Sequence, residues 1–213
     1  MARASKEITL NNVMLSYCNL VEPVKNIQGD GMEYSTQVVI SKDHPQLKEL
    51  IGTITEIAGK AFPDKPMGQL KIILRDNDTE GYADKYDYLK NTMFMNVRRQ
   101  VKQGQVPVVN RQNKQVLPLT NDALFSGCIV NILLSVYSYD MPTAKGVTAS
   151  VNLVQIVDNV NVERLGNSVD VENTFKPLEP DENIDNFQPK AEEEAVVEAT
   201  ADAPADETAL PWN

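Results

Sequence analysis

Helical periodicity occurs at one place in this chain, residues 44–61; the other patterned stretches alternate with a period of two. Leu47, Leu50, Ile51, Ile54, Ile57, Ala58 and Ala61 recur at helical spacing. Asp43 is placed to cap this helix, Pro45 suits its first turn, Gln46 completes a capping-box spacing, and Pro63 ends it. A lone amphipathic helix must bury its apolar stripe against a sheet. The sheet is supplied by strand-like segments at 7–21, 33–41, 69–75, 90–102, 127–139 and 146–157. In the first of these the apolar positions change phase near Asn11-Asn12, which predicts a bulge; Val13, Leu15 and Tyr17 then continue one face. The first two segments suit a hairpin, and the last two suit another across Asp140-Met141-Pro142. Many short strands with one helix fit a mainly β architecture, a small closed or partly closed barrel, with an open α+β sheet as the alternative.

Charge is segregated along the chain. Residues 1–165 hold 18 Lys+Arg and 17 Asp+Glu, a net of +1, whereas residues 166–213 hold 2 and 13, a net of -11; together they give the overall -10. Residues 179–209 are rich in Pro, Ala, Asp and Glu and lack the means to build a core, so 167–213 are expected to be a disordered acidic tail on a domain spanning 1–166. The sole tryptophan, Trp212, stands near the end of that tail, where an aromatic is more useful as a docking anchor than as core.

Between Asp87 and Asp122 there is no acidic residue, while Lys90, Arg98, Arg99, Lys102, Arg111 and Lys114 all lie there. Read as a strand, 90–102 puts Lys90, Thr92, Phe94, Asn96, Arg98, Gln100 and Lys102 on one face and Asn91, Met93, Met95, Val97, Arg99 and Val101 on the other. The first face pairs cations with a ring, as the holding of a single nucleic-acid strand requires. A solvent-facing strand charged for solubility is the plain alternative. Tyr82, Tyr86 and Tyr88 border the stretch as further stacking candidates, with core filling the expected fate of at least one. Tyr137 and Tyr139 share a strand face and could equally stack or pack.

No enzyme constellation is evident. His44 is the only histidine and sits at the start of the helix, where a first-turn role suits it better than that of a base. No P-loop, Cys/His metal spacing or membrane-spanning run occurs, and no cofactor is implied. Cys18 and Cys128 fall in apolar segments and read as buried free thiols. Without a signal-peptide pattern the expected location is cytoplasmic. The run from Asp76 to Gly81 spaces oxygen ligands as a calcium loop does, but its twelfth position is Asp87 and no helices flank it, so a solvated turn is preferred.

Leu74-Arg75-Asp76-Asn77-Asp78, the tyrosine-rich stretch and the basic strand are followed by Pro107-Val108-Val109 and Phe125-Ser126-Gly127. Val136-Tyr137-Ser138-Tyr139, Lys145-Gly146-Val147 and Val151-Asn152-Leu153-Val154-Gln155 complete the order. This succession, over roughly residues 5–166, resembles a family of tailed-phage single-stranded-DNA-binding proteins, long catalogued as a domain of unknown function. It departs from the family at Asn77, where Gly is common. The resemblance implies an OB-fold barrel of five or six strands that holds single-stranded DNA without catalysis during phage replication, recombination or repair, in the infected host's cytoplasm. Lys90, Arg98, Lys102, Arg111 and Lys114 are the candidate phosphate partners; Phe94, Tyr82, Tyr86 and Tyr88 are the candidate stacking rings.

The tail is similar to those of bacterial and phage single-stranded-DNA-binding proteins, tipped here by Leu210-Pro211-Trp212, with Asn213 displacing the carboxylate from the ring. Such a tail implies competition with DNA and recruitment of phage or host replication and recombination proteins. Oligomeric state is open, a dimer included. The rival readings are a metal-dependent nucleic-acid enzyme using Asp76, Asp78 and Glu80, and a phage structural or interaction protein that binds no nucleic acid.

Overall fold

The computed structural model describes residues 4–26 and 31–166. β1 (Ser5–Lys25) and β2 (Met32–Ser41) are followed by α1 (Leu47–Ala61), then by the short β3 (Lys71–Ile72) and β4 (Arg75–Asp76). β5 (Thr92–Gln100), the short β6 (Val108–Val109), β7 (Ile129–Met141) and β8 (Ala144–Asp158) complete the order. Antiparallel pairing runs β8-β7-β1-β2-β5, and a parallel pairing of β5 with β8 at Arg98 and Ser150 closes the ring. The result is the five-stranded barrel with one helix that an OB architecture requires. α1 lies against β7, β1 and β8 and lends Leu47, Leu50, Ile54, Ile57 and Ala58 to the same core as Leu10, Leu15, Met95, Ile132 and Leu134.

Two glycines permit close approaches. A Cβ on Gly146 would stand 2.0 Å from the Lys71 carbonyl oxygen, so only glycine lets β3 lie along β8. A Cβ on Gly127, whose φ is +112°, would stand 2.1 Å from the Glu163 carbonyl oxygen, where the chain folds back after β8.

The expected bulge in β1 is present, with a register shift between Leu10 and Val13 and Asn12 at φ 52°. A second, unexpected bulge lies between Ser16 and Asn19, where three steps on β1 face two on β2. It turns Tyr17 outward, so Tyr17 does not continue the buried face of Val13 and Leu15.

Other boundaries shift for local reasons. The helix begins at Leu47, and neither Asp43 nor a capping box closes its start. The Asp43 carboxylate accepts from Asn91 Nδ2 at 2.7 Å, and the Gln46 side chain bridges to β1 through Asn11 N and Thr9 O. His44 lies in the turn before the helix, its Nε2 2.8 Å from the Asn11 carbonyl oxygen. The strand expected over 69–75 is split, one piece pairing with β8 and the other with β5, because the chain crosses here from one strand to the other. The β7–β8 hairpin is tighter than expected: Met141 pairs with Ala144, leaving Pro142-Thr143 as the turn. Both cysteines are free; Cys128 is buried and Cys18 partly so, and burial pushes the Cys18 thiol up to about 11. Among the described residues no helix is long and apolar enough to cross a membrane.

Candidate nucleic-acid interface

A cleft of about 410 Å³ opens on the outer surface of β1, β2 and β5. Its rim carries Tyr17, Tyr82 and Tyr86, which are 63%, 39% and 45% exposed. Its floor is amide and hydroxyl, from Asn19, Ser35, Gln37 and Asn96, and its edge carries Lys25 and Arg98. Gln37 Nε2 donates to Asn96 Oδ1 at 3.3 Å, fixing the two amides relative to each other.

Tyr17 reaches the rim through its bulge, where its φ of 47° puts a bulky residue in the left-handed region. That conformation costs roughly 1–2 kcal/mol. Tyr17 and Tyr86 line this cleft with Tyr82 and an adjoining hollow with Tyr88, so the four rings form one cluster; partial burial, then the neighbouring phenols of Tyr86, Tyr88 and Tyr82, push the Tyr17 hydroxyl above its ordinary value. Tyr86 and Tyr88 lie 5.7 Å apart at 41°.

The loop between β4 and β5 carries three of these tyrosines and is pinned at its base. Asn77 is fully buried; its carbonyl accepts from the Tyr82 and Ala83 amides, and its Nδ2 donates to Thr92 Oγ1 at 2.9 Å. Asn77 Oδ1 has no partner among the described residues. Lys42 Nζ sits 2.8 Å from Asp76 and 2.7 Å from Asp78, and Arg75 pairs with Glu80. The Lys42 ammonium holds the Asp76 carboxyl below the usual carboxylate range, and Arg75 does the same for Glu80. These acids are clasps of the loop, each answered by a cation. Among the described residues no cluster of three metal-ligating side chains occurs.

The basic strand is corrected in one important respect. Phe94 is 1% exposed and cannot present a face to a base. It does point outward from the barrel, as the alternation requires, but the loop covers it. Val39 and Leu89 pack beside it, Tyr82 meets it edge-on at 5.6 Å, and the Arg75 guanidinium lies 4.9 Å from its centroid.

Arg98 lies at the cleft, its guanidinium 3.6 Å from the nearly buried Glu33 carboxylate. Lys90 precedes the strand, is exposed, and pairs with Asp87 at 2.5 Å. Lys102 lies beyond the strand, on the exposed one-turn helix Val101–Gln103, not on the strand face where alternation put it. Arg99 pins that turn, donating to the carbonyls of Gln103 at 2.8 Å and Gly104 at 3.0 Å.

Arg111 and Lys114 are not brought to the cleft. Arg111 donates to the Val157 carbonyl, seven residues along β8 from the Ser150 that faces Arg98. At about 3.3 Å per residue that is roughly 23 Å away. Tyr88 belongs to the ring cluster but not to the cleft wall. Leu210, Pro211 and Trp212 lie outside the described residues.

Tyr17 and Lys25 also line the cleft, although neither stands out as a binding candidate in the sequence. A signal existed: the apolar positions Val13 and Leu15 give way to Cys18 and Leu20, a second phase change that marks the extra residue.

The structure is similar to that of the single-stranded-DNA-binding protein from bacteriophage Enc34 in complex with ssDNA, with a TM-score of 0.62 and 17% identity over 75% of this chain and 89% of that one. It is also similar to gp2.5, a single-stranded-DNA-binding protein encoded by bacteriophage T7, with a TM-score of 0.57 and 14% identity over 83% of this chain and 100% of the other. At these identities the likeness concerns the fold. In sequence, putative protein p50 of Acyrthosiphon pisum secondary endosymbiont phage 1 is 28% identical over 160 residues, 70% of this chain and 82% of that protein. Residues 6–187 match the family model described as "Enterobacter phage Enc34, ssDNA-binding protein", and the chain belongs to that family.

Proposed function

We propose that this protein binds single-stranded DNA, without catalysis and without reading its sequence, in the replication, recombination or repair of phage DNA inside the infected host cell. The observation that carries this reading is the cleft: exposed Tyr17, Tyr82 and Tyr86 over an amide floor, edged by Arg98 and Lys25. Rings that stack on any base, beside cations that meet phosphates, make a surface for an extended strand. Family membership supports it. Arg98 and Lys25 take phosphates at the cleft, Lys90 and Lys102 at its two approaches, and Tyr88 braces Tyr86. Arg111 and Lys114 serve only a strand long enough to travel along β8.

The acidic segment 167–213 competes with DNA for this basic surface, as its charge of -11 against the near-neutral body suggests. Tethering makes that competition effective by raising local concentration. Leu210-Pro211-Trp212 docks replication or recombination proteins. The last described residues, Glu163 to Gly166, line a hollow with Tyr17, Tyr86 and Tyr88.

The test is fluorescence anisotropy of labelled oligo-dT with the full chain and with residues 1–166, across a salt series. Expected are affinity falling with salt, as counterion release demands, and tighter binding by the truncated chain. Absence of binding by either chain would overturn the DNA reading; equal affinities would overturn tail competition alone.

A further inference from the structure

A second groove, of about 620 Å³, lies across β5 from the cleft. Asn96 and Arg98 line both, so the two hollows meet at one shared wall. The second is lined by Lys71, Ile73, Arg75, Tyr137, Tyr139 and Met141 among others, and no carboxylate lines it among the described residues. Its construction is local and specific. Tyr137 and Tyr139 are two apart on β7 and both lie on its outer, half-buried face. Lys71 and Tyr139 are both register partners of Gly146, one through β3 and one through β7. The missing side chain at Gly146 is what admits Lys71 to this position, since any Cβ there would collide with the Lys71 backbone. An aromatic pair and a cation are thus assembled on the far side of Arg98, repeating the chemistry of the first cleft.

We propose that the bound strand crosses Arg98 and continues into this groove, so that the site is a two-compartment track running across β5 with Arg98 at the divide. This rests on the single-stranded-DNA reading above and adds its path. The cleft takes the first bases on Tyr17, Tyr82 and Tyr86; Arg98 meets the phosphate at the crossing; the following bases stack along Tyr137 and Tyr139 with Lys71 on the backbone. A single strand suits this path better than a duplex, whose paired bases have no free faces to offer two separated aromatic clusters.

The experiment is anisotropy of the full chain with oligo-dT of increasing length at one salt concentration. Tyr86→Ala serves as the cleft variant, the double variant Lys71→Ala/Tyr139→Ala as the groove variant, and Thr148→Glu as an independent one that puts a carboxylate in the groove. The groove variants are expected to bind the shortest oligonucleotides like wild type and to lose about tenfold in affinity once the strand spans both compartments, the worth of roughly one stacked base. Tyr86→Ala is expected to weaken every length. Tyr139→Phe, which keeps the ring, should restore the longer oligonucleotides. Groove variants that match wild type at every length, or that lose equally at all lengths, would overturn the track while leaving the cleft reading intact. Failure of wild type to bind any oligonucleotide would overturn both.

Discussion

Phe94 separates the surface reading of the basic strand from its buried reality, and replacing it tests the difference. The ring is 1% exposed, wedged between Val39 and Leu89, touched edge-on by Tyr82 and covered by Arg75. Phe→Ala in a packed core costs about 3–5 kcal/mol. This cluster is small and roofed by a loop that can settle into the gap, so the low end, about 3 kcal/mol, applies. For a domain of this size each kcal/mol lowers Tm by about 2–4 °C, so Phe94→Ala should melt roughly 6–12 °C below wild type. Tyr86→Ala should do the reverse. Its ring is 45% exposed, so stability should change by no more than about 0.5 kcal/mol. Loss of one stacked base should weaken DNA binding by about 1–3 kcal/mol, roughly 5- to 150-fold. Circular-dichroism melts and oligo-dT anisotropy on the two variants read both quantities. A Phe94→Ala protein that melts like wild type yet has lost DNA affinity would show the ring at a base and refute the argument.

Arg98→Ala should lower the slope of log affinity against log salt by about 0.7, one phosphate contact on a single strand, whereas Glu33→Gln, which frees Arg98 from its carboxylate at 3.6 Å, should tighten binding at low salt; an unchanged slope would remove Arg98 from the phosphate path. Lys42→Ala should destabilise the loop and weaken DNA binding through the tyrosines it carries, with Lys42→Arg retaining both. The effect has a defined pH window. Asp76 is held below its ordinary value by Lys42, so the stabilisation is present above the unfolded carboxylate value, about 3.9, and is lost as pH falls through the lower folded one. Urea midpoints of wild type and Lys42→Ala should therefore differ at neutral pH and converge in acid; a gap that persists at full carboxylate protonation would mean that Lys42 acts by packing.

Much of this architecture was legible in one dimension. Apolar spacing marked α1, both hairpins and the bulge at Asn11-Asn12, because burial of one face imposes a period that survives in the residues themselves. The acid-free stretch after Asp87 and the acidity beyond residue 166 were countable directly. Alternation was also right that Phe94 leaves the barrel outward, but it carries no information about what comes to lie on top. The loop tied down by Asn77 and Lys42 makes Phe94 core, and its covering role was settled by contacts distant in sequence. The same holds for Tyr17, which one extra residue turns from the inner face to the rim, and for Arg111, which pairing of β6 with β8 carries away from Arg98. Periodicity is a property of one strand, whereas exposure and proximity are properties of the strands and loops packed around it. The residue types that can hold a single strand were therefore readable from the chain, but which of them share a surface depended on barrel closure and the loop folded over it.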